Sequence, residues 1–255
     1  MKREEALLRE LNLYPLWKLR GGRAAPGVSP APVQEQGVAA PVQAAEMVAA
    51  QAGTDPAEAR RQVIAGLGWP ELKIMVRDCT ACRLRAGCTQ TVFGVGAEKA
   101  DWLFVGEGPG ADEDALGEPF VGQAGKLLDN MLLSIKLKRG DNVYIANIVK
   151  CRPPGNRTPE ADEIATCVPY LQRQIALIKP KIIVALGKTA ATALLGRDAA
   201  LGSLRGTVHE YRAPATGPDG AIPLIITYHP AHLLRTPADK AKAWDDLRLA
   251  VKTAG

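Results

Sequence analysis

Four short apolar runs mark the second half of the chain, at residues 102–105, 143–149, 182–186 and 224–228. Each is rich in β-branched or aromatic residues and too short for a buried helix, so each predicts a strand. Lying between helical patterns, they predict a parallel sheet covered on both faces. Helical periodicity fills the gaps between them. Residues 122–138 carry Leu127, Leu128, Met131, Leu132 and Ile135 at helical spacing. Residues 159–178 follow Thr158 as a cap, with Glu160 in the first turn. A short alanine-rich helix is predicted at 188–195, and a last one at 238–251. Strands alternating with helices predict an α/β fold, a three-layer α/β/α sandwich around a central four-stranded parallel sheet.

The first quarter reads differently. Residues 1–20 form a short amphipathic pattern, with Leu7, Leu8 and Leu11 on one side, followed by Tyr14, Leu16 and Trp17. That segment either caps the main domain or docks a partner. Residues 21–53 are rich in Ala, Pro, Gly, Gln and Val, with little to pack, as in a flexible linker. Thr54 reads as a helix cap and Pro56 as a first-turn residue of a helix ending near Gly66. A second helix opens at Pro70 and runs toward Cys79. The domains drawn from this are 1–20, a helical segment; 21–68, a linker with a short helix; and 69–255, the main domain.

The chain has 255 residues, and its 47% hydrophobic content is enough for a sizeable core. It has no stretch of about 18 apolar residues, so no membrane helix is expected. The charged start MKREEALLRELNL lacks the apolar heart of a signal peptide, and the protein reads as intracellular. In a reducing compartment its five cysteines suit metal ligation or free thiols better than disulfides. The net charge of +5 leans toward a polyanionic partner.

The chemistry-bearing residues gather at strand ends. GEGPG (Gly106, Glu107, Gly108, Pro109, Gly110) follows the first strand, where α/β sheets bind ligands. Its glycines let backbone N–H groups approach a ligand, and Glu107 can aim a carboxylate. Phe120, in GEPFVGQAG, can stack on a planar base or fill the core. Asn147 lies among apolar residues, where an amide is costly unless bonded. Its acceptor and two donors suit a pyrimidine edge, or a neighbouring loop. Lys150, Arg152 and Arg157 put cations on a proline-rich loop suited to phosphate, or simply to solvent. His229 stands where the last strand breaks at Pro230, and can donate to a departing anion. Leu233 and Leu234 beside Arg235 can wedge into a base stack while the arginine holds phosphate, or can form a buried turn. Cys79 and Cys82 form CTAC, and Cys151 and Cys167 are a distant second pair that would complete a four-thiolate site. Spacing does not separate zinc from [4Fe–4S], and Cys88 could replace any partner by count.

Taken together, GEGPG, PFVGQAG, NIVKCRPPGNRTP, the Leu186–Gly187 pair and YHPAHLLR, with Cys79, Cys82, Cys151 and Cys167, resemble the family 4 uracil-DNA glycosylases, the iron–sulfur members of their superfamily. The resemblance covers residues 69–251. It implies a structural [4Fe–4S] cluster on those four cysteines, leaving Cys88 free. It implies hydrolysis of the uracil–deoxyribose bond in single- or double-stranded DNA, leaving an abasic site. In that reading Phe120 stacks on the flipped uracil, Asn147 reads O4 and N3–H, and His229 stabilises charge at O2. Backbone N–H groups of the turn, Gly106 and Gly108 included, help hold the base. Lys150, Arg152, Arg157 and Arg235 contact phosphate, and the segment from Leu233 to Arg235 fills the gap in the duplex. Other uracil glycosylases carry an aspartate where Gly108 stands, so Glu107 or Asp112 is expected to position water or the sugar cation. The expected partner is uracil-containing DNA, met as a monomer without a membrane and nucleoid-associated when bound, with the N-terminal segment free for a protein partner. Two alternatives remain: a covalent uracil-DNA-binding relative, whose first motif would read GEQPG with a histidine-bearing basic insertion, and a non-catalytic nucleic-acid-binding module.

Overall fold

The computed structural model describes residues 55–212 and 220–255, so the expectations for residues 1–54 lie outside it. Within it the sheet has six strands: β1 (Val95–Gly96), β2 (Trp102–Gly106), β3 (Val143–Asn147), β4 (Ile182–Leu186), β5 (His209–Arg212) and β6 (Ala221–Thr227), in the order β1-β3-β2-β4-β6-β5. The inner four are parallel, as expected. The expectation of a purely four-stranded parallel sheet is corrected by β1 and β5, which pair antiparallel at the two edges. β1 has two residues and β5 reads HEYR, so neither carries an apolar run.

The inner strands are buried on both faces, and alternate side chains go to opposite layers. Leu103, Val105, Ala146, Ile183, Ala185 and Ile226 meet one layer. It contains α1 (Pro56–Gly66), α2 (Trp69–Arg77), the one-turn α3 (Leu84–Gly87), α6 (Ala161–Ile178), α7 (Lys188–Leu195) and α8 (Leu201–Leu204). Phe104, Val143, Ile145, Val184 and Ile225 meet the other, built from α5 (Gln123–Ser134), α9 (Pro230–Arg235) and α10 (Lys240–Ala254). The helix α4 (Ala111–Leu116) follows the β2 turn. Among the described residues no helix is long and apolar enough to cross a membrane.

Several boundaries shift for local reasons. Asp55, whose carboxylate accepts the Ala57 N–H at 3.0 Å, caps α1. Ile64 of that helix is fully buried and α1 packs on α6, within the 21–68 stretch read as linker. α6 starts at Ala161 because Glu163 accepts the Glu160 N–H at 2.8 Å, moving the cap past Thr158. β3 ends at Asn147, where the chain bends, and the Ile148 and Val149 N–H groups donate to the carbonyls of Gly106 and Glu107.

β2 is the switch strand: the chain passes from it to β3 on one side, while β4 flanks the other. The C-terminal ends of β2, β3, β4 and β6 therefore open on one crevice, where such sheets bind ligands.

Candidate active site

Gly106 and Asn147 are the last paired residues of β2 and β3, side by side in register. Asn147 is 2% exposed, and its Oδ1 has no hydrogen-bond partner. A buried carbonyl oxygen left unpaired costs about 1–3 kcal/mol, and Asn147 lines the cleft described below. A Cβ on Gly106 would stand 2.5 Å from that Oδ1 and 2.5 Å from Cζ of Phe120. Glycine is therefore needed for space, and the ring and the carboxamide close on one point of backbone.

His229 completes the group. Its ring lies 5.5 Å from that of Phe120, centroid to centroid, at 30°. It caps α9, and its Nδ1 accepts the Ala231 N–H at 3.1 Å. The neutral ring then carries its proton on Nε2, which is left free to donate. Burial, with help from Arg235 and against Glu113, lowers its pKa from 6.5 to about 4. The imidazole is uncharged near neutral pH.

Phe120, Asn147, His229, Glu107, Gly108, Asp112 and Arg235 all line one cleft of about 1600 Å³, more than a single base needs. Glu107 is held by Thr189, whose hydroxyl donates to Oε2. Asp112 is exposed on the first turn of α4 and approaches Gly122. Glu113, which the sequence reading passed over, ties the two glycine turns together. It accepts Gly110 N–H at 3.0 Å on one oxygen, and Val121 N–H at 2.9 Å and Gly122 N–H at 3.1 Å on the other. The signal was present in GADE, a glycine followed three residues on by glutamate at a helix start.

Two expected DNA contacts, Lys150 and Leu233, need correction. Lys150 is 1% exposed; its Nζ donates to the Asn147 carbonyl at 3.0 Å and to Gln174 Oε1 at 2.7 Å. Burial lowers its pKa to about 8, against an opposing pull from Cys167, and it has no route to a phosphate. Leu233 is 1% exposed, in the core cluster where α9 packs on α5. Leu234 is that outward residue, and Arg235 is exposed at the cleft rim. Arg157 donates to Glu163 by two bonds of 2.9 Å and 2.7 Å, shares that carboxylate with Arg83, and lines the cleft. Arg152 is half-buried, with Nε donating to Asn156 Oδ1.

Cys79, Cys82, Cys151 and Cys167 line a second, much smaller cavity of about 10 Å³. Among the described residues no three such side chains stand in ready coordinating geometry. The donor chemistry nevertheless suits a thiolate-bound group. The Lys150 N–H donates to Cys167 Sγ at 3.3 Å, and Arg60 approaches Cys79 Sγ at 3.9 Å. Such donors and cations favour ligating thiolates. Without a metal, burial raises the Cys82 and Cys151 pKa values and pushes Cys167 up to about 11. Cys88 lies outside this lining but close enough to Cys151 to raise its pKa further.

The family model for the uracil DNA glycosylase superfamily matches residues 93–248. A type-4 uracil-DNA glycosylase of Pyrobaculum aerophilum is 43% identical over 183 residues, 70% of this chain and 91% of that protein. Type-4 uracil-DNA glycosylases of Archaeoglobus fulgidus and Thermotoga maritima are 45% and 42% identical over 166 and 168 residues, covering 81% and 83% of their lengths. Those two alignments span 64% and 66% of this chain.

Proposed function

Since the chain belongs to the uracil DNA glycosylase superfamily, with type-4 enzymes as its near relatives, we propose a residue-level account of how it excises uracil. It is a uracil-DNA glycosylase that acts on uracil-containing DNA in repair. The observation that carries the account is the orphaned Asn147 Oδ1 at the junction of Phe120 and Gly106.

In this reading the flipped uracil stacks on Phe120. Asn147 Oδ1 accepts the N3–H, and its amide donates to O4. Cytosine reverses both groups and would leave buried partners unpaired, which supports discrimination of several kcal/mol, roughly. The C1′–N1 bond breaks with its electron pair passing to the ring. His229, neutral and protonated on Nε2, would donate to O2 as charge gathers there. Water then adds at C1′ and loses a proton to solvent.

Gly108 offers no base, so departure of the base precedes attack by water. Glu107, fixed on one oxygen by Thr189, has the other free to orient that water or face the sugar cation. Asp112, at the same cleft, is the alternative. Glu107→Gln should slow the single-turnover rate and leave DNA affinity unchanged; equal losses in both would remove it from the chemistry.

Cys79, Cys82, Cys151 and Cys167 would hold a [4Fe–4S] cluster, which supplies a structural bond between segments rather than electron transfer. Cys151 lies four residues after Asn147, so the bond would fix the loop beside the base-reading residue. Arg235, Arg152, Arg157 and Leu234 remain as candidates for the flanking DNA. A chromosomal substrate would place the work inside the cell.

The test is a uracil-containing oligonucleotide treated with the protein and then with alkali. Strand scission at the uracil is expected. An SDS-resistant adduct would indicate a covalent trap, and intact DNA a binding module; either would overturn the account.

A further inference from the structure

Phe120 adopts φ +57°, a conformation rare for a bulky side chain. Such a residue persists only where its surroundings hold it. Here four backbone polar groups between Pro119 and Gly122 are gripped by two side chains of opposite charge. Glu113 accepts the N–H groups of Val121 and Gly122. Arg139 takes the carbonyls: Nη1 donates to Pro119 O at 2.8 Å and Nη2 to Phe120 O at 2.7 Å. Its Nε donates to Asp129 Oδ1 at 3.0 Å, which aims the guanidinium along α5. Opposite it, a Cβ on Gly125 would stand 1.8 Å from the Phe120 oxygen, so the loop also rests directly on helix backbone.

We propose that Arg139 is a positioning residue for uracil excision, acting through Phe120. Its planar fork matches two successive carbonyls, a geometry that lysine's single ammonium does not reproduce. By fixing the strained Phe120 backbone before uracil arrives, it removes an ordering cost from base capture. Arg139 does not line the cleft, so it touches neither uracil nor the attacking water. The proposal rests on the reading of Phe120 as the stacking platform.

The experiment is a double-mutant cycle with Arg139→Ala and Phe120→Ala, and Arg139→Lys as a second variant. Single-turnover excision, inhibition by free uracil, affinity for an undamaged duplex and thermal melting are measured on each. Arg139→Ala should slow excision about tenfold, within the range set by ångström-scale misplacement. Inhibition by free uracil should weaken in parallel, and duplex affinity should hold. In the Phe120→Ala background the same change should cost less than about twofold, since the two act as one unit. Arg139→Lys, which melts closer to the parent, should still be slow. Equal losses in both backgrounds, or a fully active Arg139→Lys enzyme, would overturn the proposal while leaving the stacking reading intact. A Phe120→Ala enzyme as fast as the parent would sink both.

Discussion

Replacing Gly106 with alanine tests the convergence of the site with a single methyl group. The Gly106 backbone is compatible with alanine, since its φ is not in the positive range, so the effect comes from space alone. The new Cβ would stand 2.5 Å from both Asn147 Oδ1 and Phe120 Cζ, and 2.7 Å from Phe120 Cε2. Carbon atoms rest at about 3.5–4.0 Å, so the ring must retreat by about 1 Å. It has little freedom to do so, because Glu113 and Arg139 hold the loop and Gly125 blocks it from below. Overpacking of this kind costs about 1–3 kcal/mol of stability. A shift of about 1 Å in a substrate-positioning group costs about a hundredfold in rate. The assay is single-turnover release of uracil, read beside thermal melting and affinity for an undamaged duplex. A slow enzyme with near-parent duplex affinity is expected. A Gly106→Ala protein that excises at the parent rate with an unchanged melting temperature would refute the reasoning.

The remaining predictions concern charge and burial. His229 has a folded pKa of about 4 against an ordinary 6.5, so the unfolded chain takes up its proton first as pH falls. Its contribution to stability is complete above about pH 6.5 and is lost toward pH 4, at most about 3 kcal/mol, and His229→Gln should flatten that part of the stability–pH curve in denaturant titrations. Lys150→Met should cost about 1–3 kcal/mol by stranding Gln174 Oε1, yet leave the salt dependence of DNA binding untouched. Arg235→Ala should instead reduce the slope of log affinity against log salt by about 1, measured by fluorescence anisotropy. Cys167→Ser should abolish the brown absorbance expected of anaerobically purified protein and lower its melting temperature; a colourless, zinc-containing parent would contradict the cluster.

The inner sheet was legible because its strands are buried on both faces and so read as unbroken apolar runs. The edge strands were not, since β1 is two residues long and β5 is mostly polar. Phe120, Asn147 and His229 line one cleft, and were readable because Asn147 and His229 close strand runs while Phe120 stands in a glycine-bounded motif before α5. Their supports were not. Arg139 acts on main-chain carbonyls, which leave no side-chain partner to find in a sequence, and Glu113 reads from GADE as a helix cap but not as the tie to the second glycine turn. Lys150 misled for a related reason: a lysine entering a proline-rich basic loop reads as solvated, and the glutamine that buries it lies 24 positions away. Leu233 and Leu234 are indistinguishable by type, and only the packing of α9 against α5 decides which one is free.

The most direct measurement is a crystal structure of the protein with free uracil. Its ring should lie on Phe120, with N3 and O4 on the Asn147 amide and O2 within hydrogen-bond reach of His229 Nε2. Uracil bound elsewhere in the cleft, with Asn147 Oδ1 still unpartnered, would contradict the account.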